Sequence, residues 1–355
     1  MKILHNKRKI NDFPKEDDMR EEASLEQWRT LYDAATKIKE QKPWEKFWDM
    51  DLIGIRKGAA IDTVFISVLG RGGECYGIAA YEGYEGLNRF LMIAMQQSMD
   101  LSSEYVMFNQ KNLTCYWGNR DELTDKQRKI IKDLGYTYRG KNQWLYFLSF
   151  EPGYFPYNMD AGEVLRMSEH LRDMGTVLQQ YDEENLKVDF EEGNMLLATF
   201  DKNKGIWSLA EAPLPFTSFQ FGNLVIENKE VLSELEKVSK CNMVLEADIS
   251  IMRISVADKK YSRPANPALL LLGDAVSGTI INFQMSEPED DPMIILAEML
   301  IDFILQYGAP KEIRVTNIIV ESGLEQLCDI CGIKLRRVKR LKGVDSFRQS
   351  MQRFY

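Results

Sequence analysis

Three stretches of the second half decide the fold: VLEADIS at 244–250, LLLLGDAVSGTIINF at 269–283 and YGAPKEIRVTN at 307–317. In the first, Leu245, Ala247 and Ile249 alternate with Glu246 and Asp248, the period of a β-strand with two unlike faces. This strand is expected from Met243 to about Val256. The second stretch holds two apolar runs, Ala268 to Gly273 and Thr279 to Met285, joined by the turn DAVSG, which reads as a hairpin. The third leaves a strongly apolar helix, Pro292 to Tyr307, and enters a strand over Ile313 to Asn317. A helix over Gly323 to Cys331 and a strand over Ile333 to Val338 follow, while Leu224 to Glu227 and Lys229 to Ser239 supply a strand and a helix in front. Three strands, helix, strand, helix, strand make an α/β domain with antiparallel strands first and crossovers afterwards.

Outward from that domain, the first half reads as α+β. Ser24 and Gln27 have capping-box spacing ahead of LEQWRTLYDAATKIKEQ, whose Leu25, Trp28, Leu31, Tyr32, Ala35 and Ile38 share one helical face up to Pro43. Short strands are expected at Leu52 to Arg56, Thr63 to Leu69 and Cys75 to Tyr81, the last two joined by the glycines of GRGG. Then come a helix over Gly86 to Met99, a strand over Leu113 to Trp117, a helix over Thr124 to Leu134 and a strand over Gln143 to Phe150. Asp160 and Glu163 form a second capping box, opening a long helix to about Tyr181. A hairpin, Asn194 to Phe200 and Ile206 to Ala210, closes the domain before the prolines of EAPLPF. The expected organisation is a flexible arm at 1–23, an N-terminal α+β domain at 24–210, a linker at 211–222 and a C-terminal α/β domain at 223–355.

Composition narrows the function classes. The 355 residues include only two histidines, His5 and His170, which lowers the odds of proton-transfer and histidine–metal chemistry. No apolar run approaches the roughly 20 residues that span a bilayer, and the start lacks a signal-peptide stretch, so the expected location is the cytoplasm with no membrane partner. Five scattered cysteines suit reduced thiols. Cys328 and Cys331 form a CxxC at the end of a helix, where the dipole disfavours thiolate, and this points to core packing over redox work. The glycines of YEGYEGL precede a helix, but Glu82 and Glu85 would repel a phosphate there. From Gly332 onward eight basic residues stand against one acid, Asp345; that net +7 leaves −16 on the preceding 331 residues of a chain whose total is −9. Lys334, Arg336, Arg337, Lys339, Arg340 and Lys342 are therefore the candidate binding residues, facing an acidic protein, a nucleic acid, or the acidic body of the same chain.

The order Trp28, Leu31, Tyr32, Ala34, then Pro43–Trp44, then YGIAAYEGYEGL, Trp144 with Phe147, and PGYFPY resembles an uncharacterised bacterial two-domain family of unknown function. The strand and helix order of the second half is similar to the ribonuclease H and integrase catalytic core. What that likeness implies is a set of two or three carboxylates converging on Mg²⁺ or Mn²⁺ for phosphodiester attack. Asp248 would be the first acid. Thr316 and Asn317 stand where the second is expected, and only Asp345 is on offer for the third. Against this stands the simpler reading that Glu246 and Asp248 form the solvated face of a strand.

Two function readings emerge. The favoured one is a non-catalytic binding protein with no cofactor, acting through the basic C-terminal segment. The alternative is a divergent metal-dependent nuclease or polynucleotidyl transferase built on Asp248. A small-molecule pocket lined by the aromatics from Trp144 to Tyr157 is a third possibility, with core packing as the simpler account of the same residues.

Overall fold

The computed structural model describes residues 20–215 and 224–352. Of the expected arm, only residues from Arg20 onward are described, and 216–222 of the expected linker lie outside the described residues.

The first sheet has seven strands, in the order β5-β4-β3-β2-β1-β6-β7: β1 Ile53–Arg56, β2 Val64–Leu69, β3 Gly77–Glu82, β4 Asn112–Gly118, β5 Trp144–Phe150, β6 Asn194–Asp201 and β7 Ile206–Pro213. Every pairing is antiparallel except β1 with β6. One face packs on helices α1 (Leu25–Gln41) and α5 (Ala161–Glu184), both opened by the capping boxes read from the sequence. Between them lie Trp28, Leu31, Tyr32, Ile38, Phe147, Leu171 and Met174, all nearly inaccessible. Helix α2 (Gly83–Met95) covers part of the opposite face with Leu87 and Phe90. It starts earlier than expected, at Gly83, whose φ of +66° is a left-handed value that suits glycine where the chain turns from β3 into the helix. Two short helices follow in sequence, α3 (Ser103–Phe108), which has too few residues to show a period, and α4 (Asp125–Asp133).

The second sheet runs β10-β9-β8-β11-β12: β8 Val244–Ile251, β9 Ala268–Asp274, β10 Ile280–Met285, β11 Glu312–Val315 and β12 Lys334–Arg337. β8, β9 and β10 are antiparallel; β8, β11 and β12 are parallel. Helices α6 (Lys229–Leu235), α7 (Pro292–Tyr307) and α8 (Ile318–Ile330) cover one face, burying Leu245, Ala247, Leu270, Leu272, Ile313 and Val315. Asp291 caps α7 through the Met293 amide at 2.8 Å, as the acidic stretch before it predicts. The central β8 is bordered by an antiparallel hairpin on one side and crossover strands on the other, the order expected from the sequence. Leu224 to Glu227 is not a strand, β8 stops at Ile251, and α8 begins at Ile318, where Asn317 caps it.

Helix α9 (Lys342–Gln352) lies across the other face of this sheet, with Leu341, Val344 and Phe347 packed on Leu269 and Leu271. That cover changes the reading of β8. Glu246 and Asp248 are 1% and 2% exposed, so they do not form a solvated face.

The two domains touch through the long connection between β8 and β9. Pro264 accepts a hydrogen bond from the Phe155 amide at 2.9 Å, and the Asn266 amide donates to Gly153 at 2.8 Å. Arg263 reaches from this connection into the first domain, donating to Ser149 Oγ at 3.1 Å with its guanidinium 3.6 Å from Glu163. Arg20 pairs with the same Glu163, giving a buried ion cluster between the domains.

Candidate functional site

On the α9 face of the second sheet, the alternation of β8 aims Glu246, Asp248 and Ser250 in one direction. Register places Thr316, just past β11, beside Asp248. Ser250 donates its hydroxyl to Asp248 Oδ2 at 2.6 Å, and Thr316 donates to Oδ1 at 3.4 Å. The charge of Asp248 is met from above, where Arg348 on α9 brings a guanidinium nitrogen to 3.7 Å of Oδ2. Another nitrogen of Arg348 holds Asp345 at 2.7 Å. The arginine thus lies between two carboxylates.

Glu246 is committed differently. One of its oxygens accepts the backbone amides of Gly343 and Val344 at 2.9 and 3.2 Å, capping the first turn of α9. The helix can come this close because Gly343 has no side chain; a Cβ there would stand 2.9 Å from the carbonyl oxygen of Gly278.

A hard divalent cation needs several convergent oxygens at about 2.0–2.6 Å, and the chemistry implied by the resemblance needs two or three carboxylates. These residues do not fit that group. Asp248 is satisfied by two hydroxyls and an arginine, Glu246 by a helix end, and Asp345 by Arg348. Asn317, near the expected second acid, accepts the Val320 amide as the cap of α8. Among the described residues, no group of three or more His, Cys, Asp or Glu side chains is arranged to hold a metal ion.

The candidate binding residues divide by strand geometry. β12 alternates, so Lys334 and Arg336 lie beside Glu312 and Arg314 of β11, and Arg337 faces the opposite way. Lys334 pairs with Glu312 at 3.3 Å. Arg337 lies 3.7 Å from Glu321 and from Asp100 of the first domain, so part of the basic segment is tied to the chain's own acids. Arg336, Lys339, Arg340 and Lys342 are exposed and make no ion pair among the described residues.

Other residues singled out by the sequence have structural surroundings. Burial, reinforced by Cys331 and Asp329, pushes the Cys328 thiol up to about 12, and burial raises Cys331 as well. His170 lies 2.8 Å from Glu82, which also binds Arg166 at 2.9 Å. Of the aromatic stretch, Phe147 packs against Trp28 and Tyr32, Tyr146 stacks on Tyr116, and Trp144 meets Tyr138 edge-on.

Sequence reasoning missed Arg348. Its signal lay in α9, where Val344, Phe347, Arg348 and Met351 share one helical side, placing a charge on an otherwise apolar stripe.

Compared with known proteins, residues 28–198 match a domain of unknown function (DUF7309), and residues 231–352 match a second domain of unknown function (DUF6930). No curated protein matches the chain. Among solved structures, a chain of the simian T-cell lymphotropic virus intasome in complex with PP2A regulatory subunit B56 gamma is 15% identical, with a TM-score of 0.25, over 32% of this chain and 39% of that one. The HTLV-2 integrase catalytic core domain in complex with magnesium (dimeric form) is 16% identical, with a TM-score of 0.23, over 32% of this chain and 68% of that one. At these scores the likeness adds nothing to the strand order described above. No helix among the described residues is long and apolar enough to cross a membrane. The chain is a two-domain α/β protein whose first part matches the domain of unknown function DUF7309 and whose second part matches the domain of unknown function DUF6930.

Proposed function

We propose that this protein is a non-catalytic binding protein. In this reading its second domain keeps a nuclease-like sheet as a scaffold, with the carboxylates of that sheet consumed internally. The supporting observation is the guanidinium of Arg348 between Asp248 and Asp345, where metal-dependent chemistry would need a cation with open coordination positions. The alternative nuclease reading, with Asp248 binding Mg²⁺ or Mn²⁺, has no convergent acids among the described residues in its favour.

The contact surface in this proposal is the exposed part of the basic segment, Arg336, Lys339, Arg340 and Lys342, and the partner is an acidic protein or a nucleic acid. Four cations without ion-pair partners among the described residues make a local positive field on a chain of net charge −9. Fluorescence anisotropy with labelled single- and double-stranded DNA, RNA and a polyglutamate peptide, at several salt concentrations, tests it. Binding to one probe that weakens with salt, and weakens further in the Lys339→Glu/Arg340→Glu/Lys342→Glu variant, is the expected result. Equal binding by wild type and variant, or none to any probe, would overturn the proposal.

A further inference from the structure

A strand at the edge of a sheet exposes unpaired backbone groups, and stable monomers blunt such edges with charge, proline or a covering segment. Three of the four sheet edges among the described residues are managed in this way. β12 carries Lys334, Arg336 and Arg337. β7 carries Glu211 and ends in Pro213. β5 is covered at Ser149, whose amide donates to Tyr157 at 2.8 Å and whose carbonyl accepts in return at 3.1 Å.

The fourth edge, β10, has none of these devices among the described residues. Its sequence, IINFQM, holds no charge and no proline, and no other strand pairs with its outer side among the described residues. Ser286 donates its amide to Ala268, which makes that a hydrogen-bonded pair with β9; by alternation, the N–H and C=O of Phe283 and Met285 point away from the sheet. The side chains of the same two residues are 56% and 52% exposed, and the Phe283 ring lies 5.9 Å from that of Phe347 on α9. An open ladder and an apolar stripe therefore coincide on one strand.

We propose that β10 pairs with β10 of a second copy of this chain, in antiparallel register centred on Phe283, joining two five-stranded sheets into one. The occupant follows from self-complementarity. An uncharged strand meets its own two-fold copy without repulsion, whereas the basic β12 would repel itself. With Phe283 opposite Phe283, the outward backbone groups of the two copies satisfy one another. Both aromatic rings then fall on one face, with Met285 and Phe347 of each copy beside them, as cross-strand aromatic pairs prefer. This inference does not depend on the binding role of the basic segment.

Sedimentation velocity of the full chain across the micromolar range, with Phe283→Lys and Met285→Lys, tests the pairing. The wild type should sediment at twice the monomer mass, and each variant should raise the dissociation constant at least about tenfold. Both residues are more than half exposed, so the far-ultraviolet circular dichroism of the variants at 25 °C should match that of the wild type, showing that the fold is kept while the association is lost. As an independent measurement, Asn282→Cys/Gln284→Cys should form a disulfide-linked dimer under mild oxidation, and the wild type, with its exposed Cys75, should not. A wild-type chain that stays monomeric at every concentration would leave this edge to a strand from another protein and overturn the proposal. A dimer untouched by both lysine variants and not captured by the cysteine pair would overturn it as well.

Discussion

Arg348 of helix α9 stands 3.7 Å from Asp248 of the central strand, a contact that neutralises a carboxylate only 2% exposed. Removing one partner of a buried ion pair leaves the other charge uncompensated, and this costs more than the pair itself contributes. Because the arginine side chain is about a third exposed, the cost is moderated by solvent. Arg348→Ala should lower the unfolding free energy by about 1–2 kcal/mol in urea denaturation. Adding Asp248→Asn to it should recover part of that loss, with a coupling of at least about 0.5 kcal/mol in the double-mutant cycle. Strict additivity of the two changes would show that the contact carries no energy.

Glu246 anchors α9 to the sheet by taking two amides of its first turn. Glu246→Ala leaves both donors unpaired in a site that is 1% exposed, so a loss of about 2–3 kcal/mol is expected. Hydrogen exchange locates the effect: amides of 343–352 should exchange faster, while those of α7 keep their protection. Uniform acceleration throughout the domain would point to global destabilisation in place of a lost anchor.

The cluster of Glu163 with Arg20 and Arg263 makes the domain contact sensitive to acid. Burial alone would raise the Glu163 pKa, but the charge of Arg20, the Ser149 hydroxyl and the Asp160 amide outweigh it and hold the carboxyl below its ordinary 4.5. A carboxylate with a depressed folded-state pKa contributes stability above its unfolded value, and that contribution is lost as pH falls through the folded one. Stability should therefore be level near neutrality and decline below about pH 4.5. Glu163→Gln should cost about 2 kcal/mol at pH 7 and flatten the acid limb of the curve. An acid limb of unchanged slope in the variant would place the titrating groups elsewhere.

Gly153 holds the domains together by being small. At φ +82°, a Cβ on it would lie 2.1 Å from the carbonyl oxygen of Pro288, a backbone atom of the second domain. Gly153→Ala should cost about 2–4 kcal/mol or separate the domains, and limited proteolysis should then cut faster between them. Wild-type cleavage rates in the variant would contradict the close approach.

What the sequence made legible follows from the range of each signal. The alternation of VLEADIS, the apolar run of α7 and the capping boxes of α1 and α5 are local patterns, and the structure has those elements where the patterns put them. The two faces of β8 were legible as unlike, but not the cover on the polar one. That cover is α9, a chain of mixed charge nearly a hundred residues away, whose attachment depends on the Glu246 carboxylate and on Gly343 lying against Gly278. Glu163 was readable as a capping residue through Asp160. Its pairing with Arg263 was not, because no periodicity links residues a hundred positions apart.

The central claim is that the carboxylates of the second sheet are internally satisfied and bind no catalytic cation. Titration of the full chain with Mg²⁺ and Mn²⁺ by isothermal calorimetry, in parallel on wild type and Asp248→Asn, tests it most directly. The account predicts no saturable heat for either ion with either protein. Saturable binding by the wild type that disappears in Asp248→Asn would contradict it, showing that a metal displaces Arg348 from Asp248.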